Sequence, residues 1–311
     1  MTRCLLVLGL VTALLSGAQA EPEPASAFVG PGACAACHAQ ETAVWKGTKH
    51  HRSFESIESN PKHGDILAAV GERSMKTAAT CTLCHFTMVS TGGGKRIAKS
   101  GPSCESCHGA AAGWVKVHAD FGRGFSKETE TPEHQRERRQ RAAAAGMRSP
   151  HDLFDIASSC TQCHGMAHPG LDGAVLAKML QAGHPFEPEW ELVRYSQGSV
   201  RHRFYPVGVG TENRPMNAAE RARMFVIGQA ARLLSATQAF EKSSDPGYRA
   251  AQKQRADNAR DALEPVKALP EVAELLARPT PESARRVAAV AAARDLSTEV
   301  SAKLPDPAIY K

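Results

Sequence analysis

The sequence predicts a mainly α-helical protein with long loops and little β-sheet. Two observations predict helices. The last hundred residues combine alanine with charged residues at helical spacing, and residues 40–54 and 127–141 also have helical character. The third is that residues 32–205 contain few aromatic and β-branched residues for their number. Such a composition indicates a loop-rich region that does not depend on a large apolar core alone.

Four copies of one five-residue motif organise this loop-rich region. In each copy two residues separate a pair of cysteines, and a histidine follows directly. This spacing is typical of covalent haem attachment, in which the cysteines form thioethers and the histidine binds iron. We therefore expect four covalently bound haem c groups. The motif residues are Cys34, Cys37 and His38; Cys81, Cys84 and His85; Cys104, Cys107 and His108; and Cys160, Cys163 and His164.

Structural zinc sites and disulfides also use paired cysteines. Zinc, however, does not require a histidine directly after every second cysteine, and here all four pairs have one. The ninth cysteine, Cys4, lies in the predicted signal segment, so every cysteine of the mature chain belongs to a motif. Haem is therefore favoured over zinc or disulfides.

Residues 1–20 are predicted to be a secretory signal peptide. Arg3 precedes an apolar run over residues 5–15, and Ala18 and Ala20 form a small-residue cleavage site. The run is too short for a convincing membrane span, and no later run reaches membrane length. We expect cleavage near Ala20, export to the periplasm and no membrane span in the mature protein.

The formal net charge of +6 does not indicate a nucleic-acid partner. Four haems would bring about eight propionates, which offset this charge. The sequence also lacks aromatic residues interleaved with basic ones. We therefore expect no nucleic acid among the partners.

The composition divides the mature chain into three parts. Residues 21–31 are a predicted linker, residues 32–205 a tetrahaem domain, and residues 206–311 a helical C-terminal module. In the module, Asn217 with Glu220 predicts a capped helix start, and Pro246 and Pro281 begin two further helices, with a shorter one over residues 271–277 between them. The module either covers the haem region or docks a partner, and the sequence leaves both open.

Each haem iron has a second axial position, which nine further histidines are available to fill. A second histidine gives a six-coordinate iron suited to electron transfer, whereas an open position admits small molecules. For any one of the nine, the ordinary alternative is a surface or packing residue. The nine are His50, His51, His63, His118, His134, His151, His168, His184 and His202.

Several short sequences in residues 32–205 are those of a known family. They are Trp45-Lys-Gly-Thr-Lys-His50, Gly101-Pro-Ser-Cys-Glu-Ser-Cys-His-Gly109, His118 ten residues after His108, and His202 before Tyr205. With the order and uneven spacing of the motifs, they resemble the tetrahaem cytochrome c-554 family of periplasmic electron carriers, which accept electrons from hydroxylamine oxidoreductase. The resemblance implies haems stacked in close pairs within a mainly α-helical fold. It does not cover the C-terminal module.

The resemblance also implies which histidines complete the iron coordination. It makes His118 the second ligand of the first haem, His50 that of the third and His202 that of the fourth. In the family the second haem has an open position. This sequence departs from the family at His184, within Gly183-His184-Pro185, which would close the second haem or compete with His202 for the fourth. The expectation from the resemblance is an open second haem.

The function predicted from these observations is electron transfer between periplasmic redox proteins that serve as donor and acceptor. The rival is an enzyme that reduces nitric oxide or a related nitrogen or oxygen species at an open second haem. A third reading is an electron-transfer subunit held in a larger complex by the C-terminal helices. Catalysis would require acid and base groups above an open iron. Because the sequence does not place such groups there, the non-enzymatic carrier is favoured.

Overall fold

The computed structural model describes residues 27–91, 94–202 and 214–311, and these residues are mainly helical. The predicted signal peptide, most of the predicted linker and Tyr205 lie outside the described residues, as does the predicted domain boundary after residue 205. The α-helices of the described residues are α1 (Pro31–Ala35), α2 (Ala39–Lys46), α3 (Lys49–Ser56), α4 (His63–Ala69), α5 (Ala79–His85), α6 (Cys104–His108), α7 (Pro132–Ala144), α8 (Leu153–His164), α9 (Gly173–Gln181), α10 (Leu192–Ser196), α11 (Ala218–Lys242), α12 (Pro246–Leu263), α13 (Pro270–Ala277) and α14 (Pro281–Ala293).

The cysteines and histidines of the four motifs lie on or next to short helices. The first motif begins in α1, and the other three form the C-terminal ends of α5, α6 and α8. A helix brings side chains three and four residues apart onto one face, which places both cysteines and the histidine of a motif together. In the second, third and fourth motifs all three residues therefore lie on one helix, whereas Cys37 and His38 of the first motif follow the end of α1.

A two-stranded antiparallel hairpin joins the second and third motifs. Strand β1 (Thr87–Ser90) follows α5, and β2 (Arg96–Ser100) leads towards α6. The buried Thr87 hydroxyl donates to the Ser103 hydroxyl at 2.8 Å, next to the start of α6. The hairpin therefore sets the separation between these two motifs. The predicted glycine turn at residues 92–94 lies largely outside the described residues.

Two predicted helices differ from those observed. The helical region 40–54 is divided into α2 and α3, because Thr48 has extended backbone and caps α3 by accepting from the His51 amide. The helix predicted over residues 127–141 begins at Pro132, because Thr131 caps it there through the His134 amide, and it runs on to Ala144. Local caps, rather than the overall helical composition, decide these boundaries.

The four C-terminal helices follow the predicted pattern closely. Asn217 and Glu220 form the expected capping box at the start of α11, and Pro246 and Pro281 occupy the first turns of α12 and α14. After α12 the chain tightens into a 3₁₀ turn (Glu264–Val266), since Pro265 has no amide hydrogen to continue the α-helix.

The largest apolar cluster joins α8 and α10 to the C-terminal helices. The C-terminal helices therefore cover the helix that carries the fourth motif, although their own residues include no cysteine or histidine. No helix in the described ranges is both long and apolar enough to cross a membrane. Prominent members of the cluster are Phe154, Ala157, Val193, Phe225, Leu233, Leu263, Val272, Leu275 and Val287.

Candidate haem-binding sites

Each of the four motif histidines faces one further histidine, and the four distances between ring centres are similar. They range from 5.8 to 6.4 Å. The pairs are His38 with His118 at 6.2 Å, His85 with His184 at 5.8 Å, His108 with His202 at 6.4 Å, and His164 with His50 at 5.9 Å.

This spacing fits a metal ion held between two imidazoles. A metal–nitrogen bond is about 2 Å long and the ring centre lies roughly 1 Å beyond the nitrogen, so two axial rings have centres about 6 Å apart. Other ring contacts in the protein vary more widely, from 4.6 Å for Trp45 with His51 to 6.0 Å for Phe54 with Phe86, whereas every motif histidine has a histidine at close to the same distance. The residues present therefore fit an iron with one histidine on each side.

Backbone carbonyls select which ring nitrogen of several paired histidines is available. The Nδ1 atom lies 3.1 Å from the Arg148 carbonyl in His108, 2.6 Å from the Val115 carbonyl in His118 and 2.8 Å from the Val200 carbonyl in His202. In His184, Nδ1 is likewise 2.9 Å from the Pro185 carbonyl. Because a carbonyl only accepts, Nδ1 carries the hydrogen and Nε2 presents a lone pair to a metal.

Burial favours the neutral, metal-binding form in several of the paired rings. It lowers the pKa of His85 and of His108 to about 4, and it also lowers the pKa of His50 and His184. Near neutral pH these imidazoles are therefore uncharged, as coordination to iron requires.

Two of the three pairings implied by the family resemblance differ in the structure. His118 faces the first motif as expected, but His50 faces His164 of the fourth motif and His202 faces His108 of the third. The helices α6 and α8, which carry the third and fourth motifs, are neighbours, and Cys107 lies beside Cys160. The relative placement of these two motifs is a tertiary feature, so the fold decides the pairing.

The expected open position at the second motif is not supported. The ring of His184 faces His85 at the shortest of the four distances. The turn at Gly183 makes this possible, because Gly183 has φ of 92°, a left-handed conformation in which a side chain is strained. The sequence left His184 open between two haems, and the structure brings it to the second.

The other described histidines have different surroundings. The ring of His51 packs edge-on against Trp45 at 4.6 Å, and His134 Nδ1 lies 2.7 Å from the Glu130 carboxylate. In His168, Nδ1 accepts from the Gly170 amide, which is the reverse of the arrangement in the paired rings. These contacts are those of packing and surface residues.

Contacts between cysteines show how the motifs are arranged in space. Cys34 contacts Cys104, Cys107 contacts Cys160, and Cys163 contacts Cys84. These contacts connect the motifs in the order first, third, fourth and second. All eight motif cysteines are free of disulfides.

Two charged residues that the sequence did not single out fix the position of the third motif. Glu105, inside the third motif, is fully buried and accepts from the amides of Val29, Gly30 and Ala111, which ties the segment before α1 to α6. Arg148 donates from Nε to the Cys107 carbonyl at the end of α6. A charged residue between two motif cysteines was the available signal for Glu105, whereas nothing local marks Arg148.

The motifs with their facing histidines define the class of this protein as a c-type cytochrome, an electron-transfer protein with covalently bound haem. Comparison with known proteins is more specific. Residues 33–109 match the family described as cytochrome c554 and c-prime. Cytochrome c-554 of Nitrosomonas europaea is 27% identical over 172 residues, which cover 53% of this chain and 68% of that protein. No solved structure matches. The chain is thus related to the cytochrome c-554 family, and the resemblance predicted from the sequence is confirmed.

Proposed function

We propose that this protein is a tetrahaem electron carrier in which every haem iron has two histidine ligands. The observation that carries this proposal is the repeated distance of about 6 Å between paired rings at all four motifs. The proximal ligands are His38, His85, His108 and His164, and their respective partners are His118, His184, His202 and His50.

When bound, haem supplies a one-electron couple, and haems held close together exchange electrons. The side chains of this protein supply the fixed surroundings. Two histidines that stay in place in both oxidation states keep the rearrangement accompanying each electron small. The carbonyls beside His108, His118, His184 and His202 hold those rings in one orientation, which supports the same role.

The rival function, reduction of a small nitrogen or oxygen species, is not favoured. It requires an iron with an open position, and His184 stands where a substrate would bind at the second motif. The resemblance to a family of electron carriers also supports the carrier.

The partners and the location follow from the same proposal. We infer that residues 1–20 direct export, that the mature protein begins near Glu21, and that it works in the periplasm. Its donor and acceptor are then other periplasmic redox proteins. The cytochrome c-554 family, which this chain resembles, consists of periplasmic electron carriers, and the resemblance supports this setting.

Mass spectrometry of the exported protein tests the cofactor count. We expect the chain from about Glu21 with four haems of about 616 Da each, because every cysteine after Cys4 belongs to a motif. A mass that corresponds to fewer haems would contradict the count of four.

Carbon monoxide binding tests the coordination of the second haem. The reduced parent should bind no carbon monoxide, whereas His184→Ala should bind it at one haem in four. His63→Ala is the matched control, since His63 is an unpaired histidine whose Nδ1 lies near the Asn60 carbonyl. Carbon monoxide bound by the parent at one haem would support the reductase instead.

A further inference from the structure

The turn directly after the fourth motif has an unusual backbone. Met166 has φ of 47° and is the single non-glycine residue with positive φ in the described part of the chain. For a residue with a side chain this conformation is unfavourable and persists when its surroundings impose it. Here the surroundings are one face of α12.

Three buried residues of α12 bind this turn. The Tyr248 hydroxyl donates to the Met166 carbonyl at 2.6 Å, and Gln252 Nε2 donates to the Gly165 carbonyl at 2.9 Å. Arg255 Nη1 donates to the same Gly165 carbonyl at 3.2 Å. The C-terminal region therefore reaches the residue that follows the proximal ligand His164.

The guanidinium of Arg255 packs directly on Gly165. A Cβ atom at Gly165 would lie 2.4 Å from Arg255 Cζ, so any side chain there would collide with it. Since consecutive Cα atoms are 3.8 Å apart, the guanidinium carbon is within about 8 Å of the His164 Cα. At such a distance within the protein interior, water screens a charge only weakly.

The partners of Arg255 are uncharged. Besides Gly165, its guanidinium donates to the Gln252 side-chain oxygen at 2.6 Å and the Ser235 hydroxyl at 3.5 Å. No carboxylate in the described ranges forms a salt bridge with it. Arg255 is 3% exposed, so water does little to screen its charge.

Arg255 nevertheless remains charged. Burial lowers its pKa to about 9, which leaves the guanidinium protonated near neutral pH. The other buried charges nearby are Arg232, which binds the Pro188 carbonyl, and Glu191, whose carboxylate accepts from the Val193 amide. The buried charge of these three residues is therefore positive on balance. The opposing charge that also acts on His164 is Glu187, whose carboxylate is exposed to water, which screens it.

We propose that the buried charge of Arg255 raises the reduction potential of the haem held by Cys160, Cys163 and His164. Reduction adds one electron to that site, and an unneutralised positive charge close by stabilises the reduced form more than the oxidised form. This inference rests on the proposed function, and it gives the C-terminal region an electrostatic role beyond covering α8.

The alternative is that Arg255 only caps the C-terminal end of α8. Two substitutions separate the roles: Arg255→Gln removes the charge, and Arg255→Lys keeps it with different geometry. The matched control is Arg260→Gln on the same helix, since Arg260 donates to the Leu276 carbonyl at the end of α13, which carries no motif.

The experiment is a redox titration of the intact tetrahaem protein followed by optical and electron paramagnetic resonance spectra. Arg255→Gln should lower the midpoint potential of one haem in four. The variant His50→Ala identifies this haem, because it changes the spectrum of the same haem. The midpoint potentials of Arg255→Lys should stay near those of the parent, and the potentials of Arg260→Gln should equal those of the parent. Unchanged potentials in Arg255→Gln, or an equal fall in Arg255→Lys, would overturn the proposal.

A second pair of variants keeps the test valid if Arg255→Gln does not fold. Ser235→Asp places a carboxylate beside Arg255, and Ser235→Asn is its neutral match of equal size. We expect a lower potential for one haem in Ser235→Asp than in Ser235→Asn, and equal potentials in the two variants would refute the proposal. Haem mass and spin state, measured on the same samples, report separately on the proposed function.

Discussion

Two regions of this molecule bury their apolar residues in different ways. In the C-terminal region (residues 214–311), α11, α12, α13 and α14 share one continuous cluster that extends to α8. In the haem-motif region (residues 27–202), α8 and α10 share that cluster, and a second cluster joins α9 and Met166 to Tyr248 of α12. The clusters around the second motif and around Trp114 are small and separate. The difference indicates that ordinary side-chain packing stabilises the first region, whereas the surroundings of the second motif and of Trp114 have less of it, as expected if bound haem stabilises them.

Preventing haem attachment should have the largest effect on this contrast. With all eight motif cysteines replaced by serine, we expect the haem-motif region to lose protection from hydrogen exchange, because its small clusters do not offset the entropy of ordering its loops. Helices α12 and α14 should remain protected. Equal loss in both regions, measured against the haem-containing parent, would show that the C-terminal helices also depend on haem.

Truncating the continuous core should have a smaller but clear effect. Leu263 is fully buried in the cluster, and Leu263→Ala should lower the free energy of unfolding by about 2–5 kcal/mol. Chemical denaturation followed by circular dichroism measures this. Lys253→Ala, at an exposed pair on the same helix, should cost at most about 0.5 kcal/mol. Both variants should keep the haem count of the parent. Fewer haems in Leu263→Ala would show that haem attachment depends on the C-terminal core.

The smallest effect concerns pH and the loop around His118. The hydrogen bond from Arg138, and after it that from His134, lowers the pKa of Glu130 to about 2. Desolvation opposes this shift, because the two side chains cover the Glu130 carboxylate. Arg138 also donates to the His118 carbonyl at 2.6 Å. A carboxylate with a lowered pKa contributes stability above its unfolded pKa and loses that contribution as pH falls towards its folded pKa.

The stability lost between about pH 5 and about pH 3 should therefore be smaller in Glu130→Gln than in the parent. Denaturant unfolding at the two pH values, monitored by the haem absorbance, measures the difference. Glu133→Gln is the control, since Glu133 forms an exposed ion pair with Arg136 within α7. An identical pH response in Glu130→Gln and the parent would show that Glu130 does not contribute to the pH dependence of stability.

Local signals explain which parts of the molecule were predictable. Asn217 with Glu220 and the prolines at 246 and 281 predicted helix starts correctly, because caps depend on a few adjacent residues. The same dependence explains the errors at Thr48 and Thr131, where a cap outweighed the wider helical composition. The motif spacing likewise depends on neighbouring residues alone.

Tertiary arrangement explains what was not predictable. The exchange of His50 and His202 between the third and fourth motifs follows from α6 and α8 lying side by side, which no short segment encodes. Arg255 is separated from Gly165 by 90 residues and resembles any other helical arginine in the sequence. The sequence thus identified the candidate ligands, and the fold decides which of them meet.

The central claim is that all four irons have two histidine ligands. An electron paramagnetic resonance spectrum of the oxidised, fully loaded protein tests it most directly, because it separates high-spin from low-spin haem. With a histidine facing every motif histidine, we expect low-spin signals that account for all four haems. A high-spin signal amounting to one haem in four would contradict the account and indicate an open iron.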